Sequence, residues 1–197
     1  LSFKEGDGLS TLVKCRTVDP VIFLDSKGRA YTVEAAQLPP ARGDGVPASS
    51  LVEVQDGAHI LHALSGKPDQ RVLVATTAGY GFLSKIGDML SNRKAGREFM
   101  TVDEGHVPLL PFPYAESPGN FVAALSEGGR LLLFAIDELK YQPRGRGTIV
   151  MGLDEEDRLL AAVVSDRPKL MVRGGLRGGK EKEITLEKDK LAPHVLK

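Results

Sequence analysis

The chain has 197 residues, of which 42% are hydrophobic and 26% are charged, a composition typical of a globular protein. Its 26 lysines and arginines balance its 26 aspartates and glutamates, so strong nucleic-acid binding is expected only if basic side chains are segregated on one surface. The longest apolar run, residues 131–136, is too short to span a membrane, and nothing at the start resembles a signal peptide. A single cysteine, Cys15, excludes an internal disulfide framework and favours a cytoplasmic location.

Short apolar segments separated by glycine turns recur about every 50 residues along the chain. Three predicted hairpins begin at Val21, Val72 and Val122. Their turn glycines are in register and are Gly28, Gly79 and Gly129. Each hairpin is followed by a short acidic turn, a basic glycine-containing loop, and an apolar segment that leads into a final strand. The glycines of the basic loops lie 51 residues apart and are Gly45, Gly96 and Gly147.

No window of a dozen residues has a helical apolar stripe that is free of glycine and proline. With 22 glycines and 12 prolines, the chain is interrupted at the spacing of short strands. The sequence therefore predicts an all-β, propeller-like repeat domain with four-stranded blades of about 50 residues. Acidic segments such as residues 136–139 are expected to form single helical turns at most.

The period also predicts where each repeat begins and ends. We expect a closing half-blade at residues 1–20, and an opening half-blade at residues 170–197. The complete blades are expected at residues 21–71, 72–120 and 121–169. Because the chain starts and stops within a repeat, we interpret it as a fragment of a longer array. The blade number and the closure of the ring stay open.

Candidate catalytic and metal sites are few. His59 and His62 are three residues apart, which places them on opposite faces of a strand and is poor geometry for a shared metal ion. Residues 174–181 match the glycines and lysine of a phosphate-binding loop, but Glu181 replaces the hydroxyl residue that ligates magnesium. The residues that follow alternate like a strand, so we interpret this segment as a basic hairpin turn and expect no metal or nucleotide site.

Basic residues on the loops after the acidic turns, and on the last hairpin, are candidate contacts for a phosphate backbone. They are Arg42, Arg93, Lys94, Arg97, Arg144, Arg146, Arg173, Arg177 and Lys180. Equivalent loops of successive repeats lie on one rim, so these side chains should form a discontinuous basic band suited to duplex DNA. A solvated rim without a partner, or a propeller scaffold that binds protein, accounts for the same residues and remains an alternative.

Several short motifs resemble the C-terminal domains of bacterial type IIA topoisomerase A subunits, and their order covers nearly the whole chain. These motifs are L-S-F-K-E-G-D from Leu1, P-V-I-F-L-D-S-K-G-R-A-Y from Pro20, L-P-P-A-R-G-D-G from Leu38, A-G-Y-G-F from Ala78, N-R-K-A-G from Asn92 and R-L-L-L-F from Arg130. The resemblance implies a β-pinwheel, a ring or open arc in which neighbouring blades exchange a hairpin. It also implies that the rim binds and bends duplex DNA and presents a segment for ATP-driven strand passage.

In this family the gyrase members carry a box, Q-R-R-G-G-K-G, that supports DNA wrapping. The nearest segment here begins at Gln142 and departs from the box, because Pro143 replaces an arginine and the lysine is missing. The resemblance therefore favours topoisomerase IV, which performs decatenation and supercoil relaxation, over gyrase, whose A subunit is the alternative.

The resemblance further implies that the chain is not itself an enzyme. The catalytic tyrosine of the family belongs to the N-terminal part of the whole polypeptide, so none of the four tyrosines here is assigned that role. They are Tyr31, Tyr80, Tyr114 and Tyr141. ATP and magnesium are expected to act elsewhere in the holoenzyme. The implied partners are duplex DNA, the core of the A subunit, the B subunit, and chromosome-organising proteins, with a nucleoid-associated location and no membrane.

Overall fold

The structure, a computed structural model, describes residue 6 and residues 8–40, 45–167, 169–175 and 181–195, without the side chains of Glu181 and Lys188. Thirteen strands run through the described residues. In chain order they are β1 (Pro20–Asp25), β2 (Arg29–Glu34), β3 (Ile60–Ser65), β4 (Arg71–Ala75), β5 (Tyr80–Lys85), β6 (Arg97–Glu98), β7 (Phe112–Tyr114), β8 (Phe121–Ser126), β9 (Leu131–Ala135), β10 (Thr148–Ile149), β11 (Leu159–Ser165), β12 (Lys169–Gly175) and β13 (Glu181–Glu187). The predicted all-β class is confirmed.

Helical structure in the described residues is limited to single turns. The α-helical turns are α1 (Ile86–Met89) and α2 (Lys188–Leu191), and 3-10 turns occur at Ala35–Gln37, Ala48–Ser50, Ile136–Glu138 and Ala192–His194. Four of these short turns follow the second arm of a hairpin, as the acidic segments predict. The hairpin of β12 and β13 is also formed, although its turn at residues 176–180 lies outside the described residues.

The strands form four sheets, and each is built on one predicted hairpin. Their orders are β3-β1-β2-β6, β10-β5-β4-β7, β11-β8-β9 and β12-β13. In the first two sheets the outer strand, β6 or β10, comes from the repeat that follows in sequence. Each of these two sheets therefore contains a strand from the next repeat. This is the strand exchange between neighbouring blades that the resemblance implies. The first two sheets each contain strands from two repeats, so they do not define where a repeat begins or ends. The predicted repeat limits therefore stay a prediction.

The repeat is visible in the hydrogen bonds of the hairpin turns. Each turn begins with a buried polar residue whose carbonyl oxygen accepts the N–H of the turn glycine at 3.0–3.1 Å. These three residues are Asp25, Thr76 and Ser126. Gly28, Gly79 and Gly129 have φ values of 81°, 84° and 82°, a region in which glycine is favoured. The register that the sequence predicts is thus present in the backbone.

One predicted strand is displaced. The apolar segments that begin at Val52 and Met151 lead into β3 at Ile60 and β11 at Leu159, whereas the equivalent segment at Thr101 leads into an edge strand, β7, only at Phe112. Pro108 makes an isolated bridge to Thr76, and Pro111 follows. Proline donates no backbone N–H and is accepted at a sheet edge, where β7 itself contains Pro113 opposite Val72.

Apolar clusters join each sheet to the next. The first and second sheets share a core that includes Ile22, Val72, Phe82 and Phe99, and the rings of Phe82 and Phe99 lie 5.7 Å apart. A second core joins the second and third sheets, and a third core lies between the third and fourth sheets. Phe99 follows β6, so the exchanged strand also contributes to the core that it crosses.

A buried Tyr31–Asp25 pair holds the first hairpin turn. The Tyr31 hydroxyl donates to Asp25 Oδ2 at 2.8 Å, and both residues are fully buried. Asp25 Oδ1 accepts the backbone N–H groups of Lys27 and Arg29, each at 2.9 Å. This carboxylate therefore fixes the backbone at the residue that carries the Arg29 side chain.

We expect Tyr31→Phe to lower the free energy of unfolding at pH 7 by about 1–3 kcal/mol, because a buried carboxylate oxygen loses its donor. Burial and then the bond to Asp25 raise the pKa of Tyr31 to about 12. Between pH 10 and 12 the unfolded chain therefore loses this proton while the folded chain keeps it, and stability falls with rising pH. Urea unfolding at pH 7 to 11 should show a shallower alkaline loss in the variant. An equal alkaline slope would contradict this assignment.

Candidate nucleic-acid interface

Four arginines converge on one surface depression of about 480 Å³. Three of them, Arg93, Arg97 and Arg144, were candidates from the sequence, and the fourth is Arg29. They come from three different repeats. The depression is completed by Leu90, Ser91, Asn92, Gly96 and Glu98. We call this surface the basic depression.

Strand exchange places Arg97 beside Arg29. Strand β6 pairs antiparallel with β2, so that Ala30 faces Arg97 and Arg29 faces Glu98. The preceding loop is held down by two hydrogen bonds: the Ser91 N–H donates to Thr32 Oγ1, and Arg29 Nη1 donates to the Ala95 carbonyl, both at 2.9 Å. The loop that carries Arg93 is therefore fixed against the first sheet.

A second exchange brings in Arg144. The N–H of Gly145 donates to the Phe99 carbonyl at 2.9 Å, and the N–H of Thr101 donates to the Gly145 carbonyl at 3.1 Å. The loop of the third repeat is thus hydrogen-bonded to the chain that follows β6. Its neighbour Arg144 lines the same depression as Arg93 and Arg97, and its own side chain is exposed.

The basic depression concentrates positive charge on a chain whose formal net charge is zero. Four arginines and one carboxylate, Glu98, line it, which gives a local formal charge of four minus one, or +3. Lys94 lies beside it on the same loop and is exposed. A concave surface with guanidinium groups on several sides can form charge-assisted hydrogen bonds with phosphate oxygens.

Arg146 has a different environment from Arg144. Its guanidinium lies over the ring of Tyr80, 3.9 Å from the ring centroid, and pairs with Asp103 Oδ2 at 2.9 Å. These contacts join the third basic loop to the second hairpin and to the acidic turn of the second repeat. The Arg146 side chain is still 48% exposed, so it contributes positive charge to the surface while it stabilises the exchange.

Of the predicted contacts not yet placed, the structure describes Arg173, which does not line the basic depression. Arg173 lies on β12, opposite Glu183 on β13, and the two side chains form an ion pair across the hairpin. Arg42, Arg177 and Lys180 lie outside the described residues. All of these remain predictions as DNA contacts.

Acidic side chains neutralise the equivalent position in the third sheet. Arg130 follows the turn glycine, as Arg29 does, but its guanidinium lies 3.7 Å from Asp154 and 3.5 Å from Asp157. The Gly128 backbone N–H, which donates to Asp157 at 2.9 Å, is the main cause of the lowered pKa of that carboxyl. Among the described residues, the Arg130 position in the third sheet is therefore less basic than the Arg29 position in the first sheet.

Arg29 was missed because the candidates were drawn from the basic loops after the acidic turns and from the last hairpin, not from the first three hairpin turns. A signal was present, since the residues after the three turn glycines are Arg29, Tyr80 and Arg130. Two of them contact the exchanged segment of the next repeat, Arg29 at Ala95 and Tyr80 at Arg146, whereas Arg130 donates to the Gly152 carbonyl within its own repeat. In the first two hairpins a large side chain at this position marks a contact between repeats.

Replacement of Arg146 should destabilise the protein more than replacement of Arg144. We expect Arg146→Gln to lower the free energy of unfolding by about 1 kcal/mol, because a cation–π contact and a half-exposed ion pair are lost. Arg144→Gln should change it by less than about 0.5 kcal/mol, as for most exposed surface residues. Urea unfolding of the two variants provides the comparison. Equal losses would show that the contacts of Arg146 contribute nothing.

The histidines were also candidate metal ligands. His59 is exposed and lies outside β3, whereas His62 lies in that strand, with Nε2 3.0 Å from the Pro108 carbonyl. Within the described residues no group of three or more histidine, cysteine, aspartate or glutamate side chains is placed to hold a metal ion. Over the same part of the chain, no helix is long and apolar enough to cross a membrane.

Comparison with known families agrees with the fold. A family model described as the DNA gyrase C-terminal domain, beta-propeller, matches residues 20–65 and 120–166. The A subunit of DNA topoisomerase 4 from Neisseria gonorrhoeae is 38% identical over 190 residues, which are 92% of this chain and 24% of that protein. The same protein of Escherichia coli (strain K12) is 32% identical over 153 residues, or 78% of this chain and 20% of that protein.

A solved structure extends the comparison to the whole described fold. The C-terminal domain of E. coli ParC matches with a TM-score of 0.85 and 28% sequence identity, and the match covers 100% of this chain and 80% of that one. The chain spans about a quarter or less of the curated relatives. The similarity therefore concerns one domain of a much longer protein.

Proposed function

The chain belongs to the family of C-terminal domains of topoisomerase IV A subunits, which is related to that of gyrase, and from this premise we propose that it binds duplex DNA through the basic depression. The observation that carries the proposal is the convergence of Arg29, Arg93, Arg97 and Arg144. Strand exchange brings these residues together, so the positive charge is a property of the folded array.

The proposed mechanism is electrostatic. Arginines that neutralise phosphates release condensed counterions, and this supplies affinity without reading the bases. Because Arg146 lies on the same exchanged segment as Arg144, a duplex that follows the rim past the depression meets a further half-exposed cation. Bending follows if the duplex tracks cations along a curved surface, since the energy of deformation is offset by the added phosphate contacts.

In the whole protein we propose that this domain presents a DNA segment to an ATP- and magnesium-dependent strand-passage machinery located elsewhere. The tyrosines support a non-catalytic role for this chain. Tyr31 and Tyr141 bond to carboxylates, Tyr80 stacks under Arg146, and Tyr114 is buried. We propose that the B subunit, together with the core of the A subunit, supplies the chemistry.

The salt dependence of binding tests the proposal. Four phosphate contacts predict that the logarithm of the association constant falls with the logarithm of salt concentration with a slope of about −3.6. Between 50 and 200 mM salt the affinity for a random-sequence duplex should therefore fall by about 150-fold. Fluorescence anisotropy with two unrelated duplexes provides the measurement. A slope near zero, or a strong preference for one sequence, would contradict this mechanism.

Departures from the gyrase box favour modest binding over stable wrapping. Pro143 precedes Arg144, and Arg146 is shared with Tyr80 and Asp103 rather than free. In reconstituted holoenzyme we therefore expect relaxation and decatenation without the introduction of negative supercoils. Negative supercoiling of a relaxed plasmid would instead favour the gyrase-like function.

A further inference from the structure

Each of the first three repeats has a short turn just before its last strand, β3, β7 or β11. The turns lie at residues 55–58, 103–106 and 154–157, and we call them the closing turns. In each one the backbone N–H of the fourth residue donates to the carbonyl oxygen of the first, at 3.0–3.1 Å. The first residues are Gln55, Asp103 and Asp154, so this equivalent position is uncharged in the first repeat and carries a carboxylate in the other two.

Where the position is an aspartate, its carboxylate pairs with an arginine close to the hairpin turn. Asp103 Oδ2 accepts a hydrogen bond from Arg146 Nη2 at 2.9 Å, and the same guanidinium lies over the Tyr80 ring. Asp154 Oδ2 lies 3.7 Å from Arg130 Nη1. Tyr80 and Arg130 each follow the turn glycine of their hairpin, so the two carboxylates lie beside the same part of the repeat.

The first repeat has an arginine at that place and no carboxylate at the first position of its closing turn. Arg29 follows the turn glycine, as Arg130 does, and Gln55 takes the position of Asp154. The Arg29 guanidinium donates to an uncharged group, the Ala95 carbonyl, and lines the basic depression. The arginine beside the uncharged closing turn is therefore the one that is available to a phosphate in that depression.

The Asp103 carboxylate is held in place against Arg146. Its closing turn is fixed by its own backbone hydrogen bond and by Arg158, whose Nη1 donates to the Gly105 carbonyl at 2.7 Å. The Asp103 side chain is 33% exposed and that of Arg146 is 48% exposed, so both charges face the solvent from which a duplex would arrive. A phosphate that approaches Arg146 meets a carboxylate that already occupies one of its donors and that repels the phosphate.

We propose that Asp103 limits the affinity of the chain for duplex DNA by withholding Arg146 from phosphate. This inference rests on the proposed DNA binding and adds to it a residue that sets its strength. The first position of the closing turn then determines which repeats contact the duplex. The uncharged Gln55 leaves Arg29 free to bind a phosphate, whereas the carboxylates of the next two repeats neutralise the arginines beside them.

The first test removes the carboxylate in the 197-residue chain. Asp103→Asn should increase the affinity for a random-sequence duplex about eightfold at 0.1 M salt, because Arg146 then adds one phosphate contact. The slope of the logarithm of the association constant against that of salt concentration should steepen from about −3.6 to about −4.5. Fluorescence anisotropy gives both quantities. A purely structural role for Asp103 would not steepen the slope.

Two further variants show whether the gain passes through Arg146. Glu104→Gln removes one negative charge from the same closing turn at an exposed side chain, and screening should keep its effect below about twofold. Arg146→Gln added to Asp103→Asn should return the affinity to within about twofold of the wild-type value. The inference is overturned if Glu104→Gln gains as much as Asp103→Asn, or if the double variant keeps the gain.

The opposite change is made in the first repeat. Gln55→Asp places a carboxylate beside Arg29 and should weaken binding about eightfold at 0.1 M salt, with a slope of about −2.7. If the wild-type slope is about −3.6 and Asp103→Asn or Gln55→Asp leaves the affinity unchanged, this inference is overturned and the proposed DNA binding stands. A wild-type slope near zero would instead contradict the DNA binding itself, and this inference with it.

Discussion

Simultaneous replacement of Arg93, Arg97 and Arg144 by glutamine is expected to weaken binding to a random duplex by about 500-fold at 0.1 M salt. Each phosphate contact contributes about 0.9 to the slope of log affinity against log salt, so three losses lower the slope from about −3.6 to about −0.9. At 0.1 M salt this difference corresponds to about 2.7 logarithmic units. The curves of the variant and the wild-type chain should converge toward 1 M salt.

A control variant that loses the same charge elsewhere distinguishes direct contact at the basic depression from a general loss of positive charge. Lys14, Arg16 and Arg167 are exposed, and none of them lines the basic depression. Their replacement by glutamine removes the same three charges and should reduce affinity less than tenfold. If the two triple variants lose affinity equally, the basic depression is not the contact surface. Urea unfolding should show that both variants remain folded, because all six side chains are at least partly exposed.

The fold class could be predicted from the sequence because the signals that define the repeat are local. Turn glycines at fixed spacing, apolar arms and short acidic turns are each read within about ten residues. The positive φ values of Gly28, Gly79 and Gly129 confirm that register. The displaced edge strand near Pro108 is the exception, since which residues pair at an edge depends on the tertiary neighbour as well as on local pattern.

The site was predictable only in part, because strand exchange is a long-range event. Three basic loops were recognised, yet nothing local indicates that Gly145 bonds to Phe99 and brings Arg144 of the third loop to Arg93 of the second. Arg29 lies outside those loops, and its hydrogen bond to Ala95, 66 residues away, brings it to the same surface. Conversely, Arg146 looked equivalent to Arg144 in sequence, and its contacts with Tyr80 and Asp103 became visible only in the fold.

Strand exchange explains both the residues that hold the repeats together and the residues that line the basic depression. An exchanged strand must be held by side chains of the sheet that receives it, and the same strand carries a basic loop into the neighbouring repeat. Arg29 serves both purposes, because it bonds to the loop at Ala95 and lines the basic depression. We therefore expect the stability of the exchange and the proposed affinity for phosphate to be coupled at this junction, so that a change that loosens the exchanged strand also weakens DNA binding.

Gly79→Ala is expected to be much more destabilising than Gly129→Ala, its matched control in the next hairpin turn. Both residues have positive φ, at 84° and 82°, so alanine costs about 1–2 kcal/mol at either position. At Gly79 an added Cβ also meets the Met151 carbonyl oxygen and lies 3.0 Å from Leu153 Cδ1. At Gly129 no described atom lies within 4 Å.

The collision at Gly79 involves the chain just after β10, so the backbone cannot relieve it without moving the exchanged strand. The N–H of Val150 donates to the Gly79 carbonyl at 2.8 Å, and Val150 and Met151 are both buried. We therefore expect Gly79→Ala to lower the free energy of unfolding by more than about 3 kcal/mol, against about 1–2 kcal/mol for Gly129→Ala. Urea unfolding gives both values, and hydrogen exchange at Val150 should accelerate only in Gly79→Ala. Equal losses in the two variants would show that the exchanged strand does not depend on its close approach to the turn.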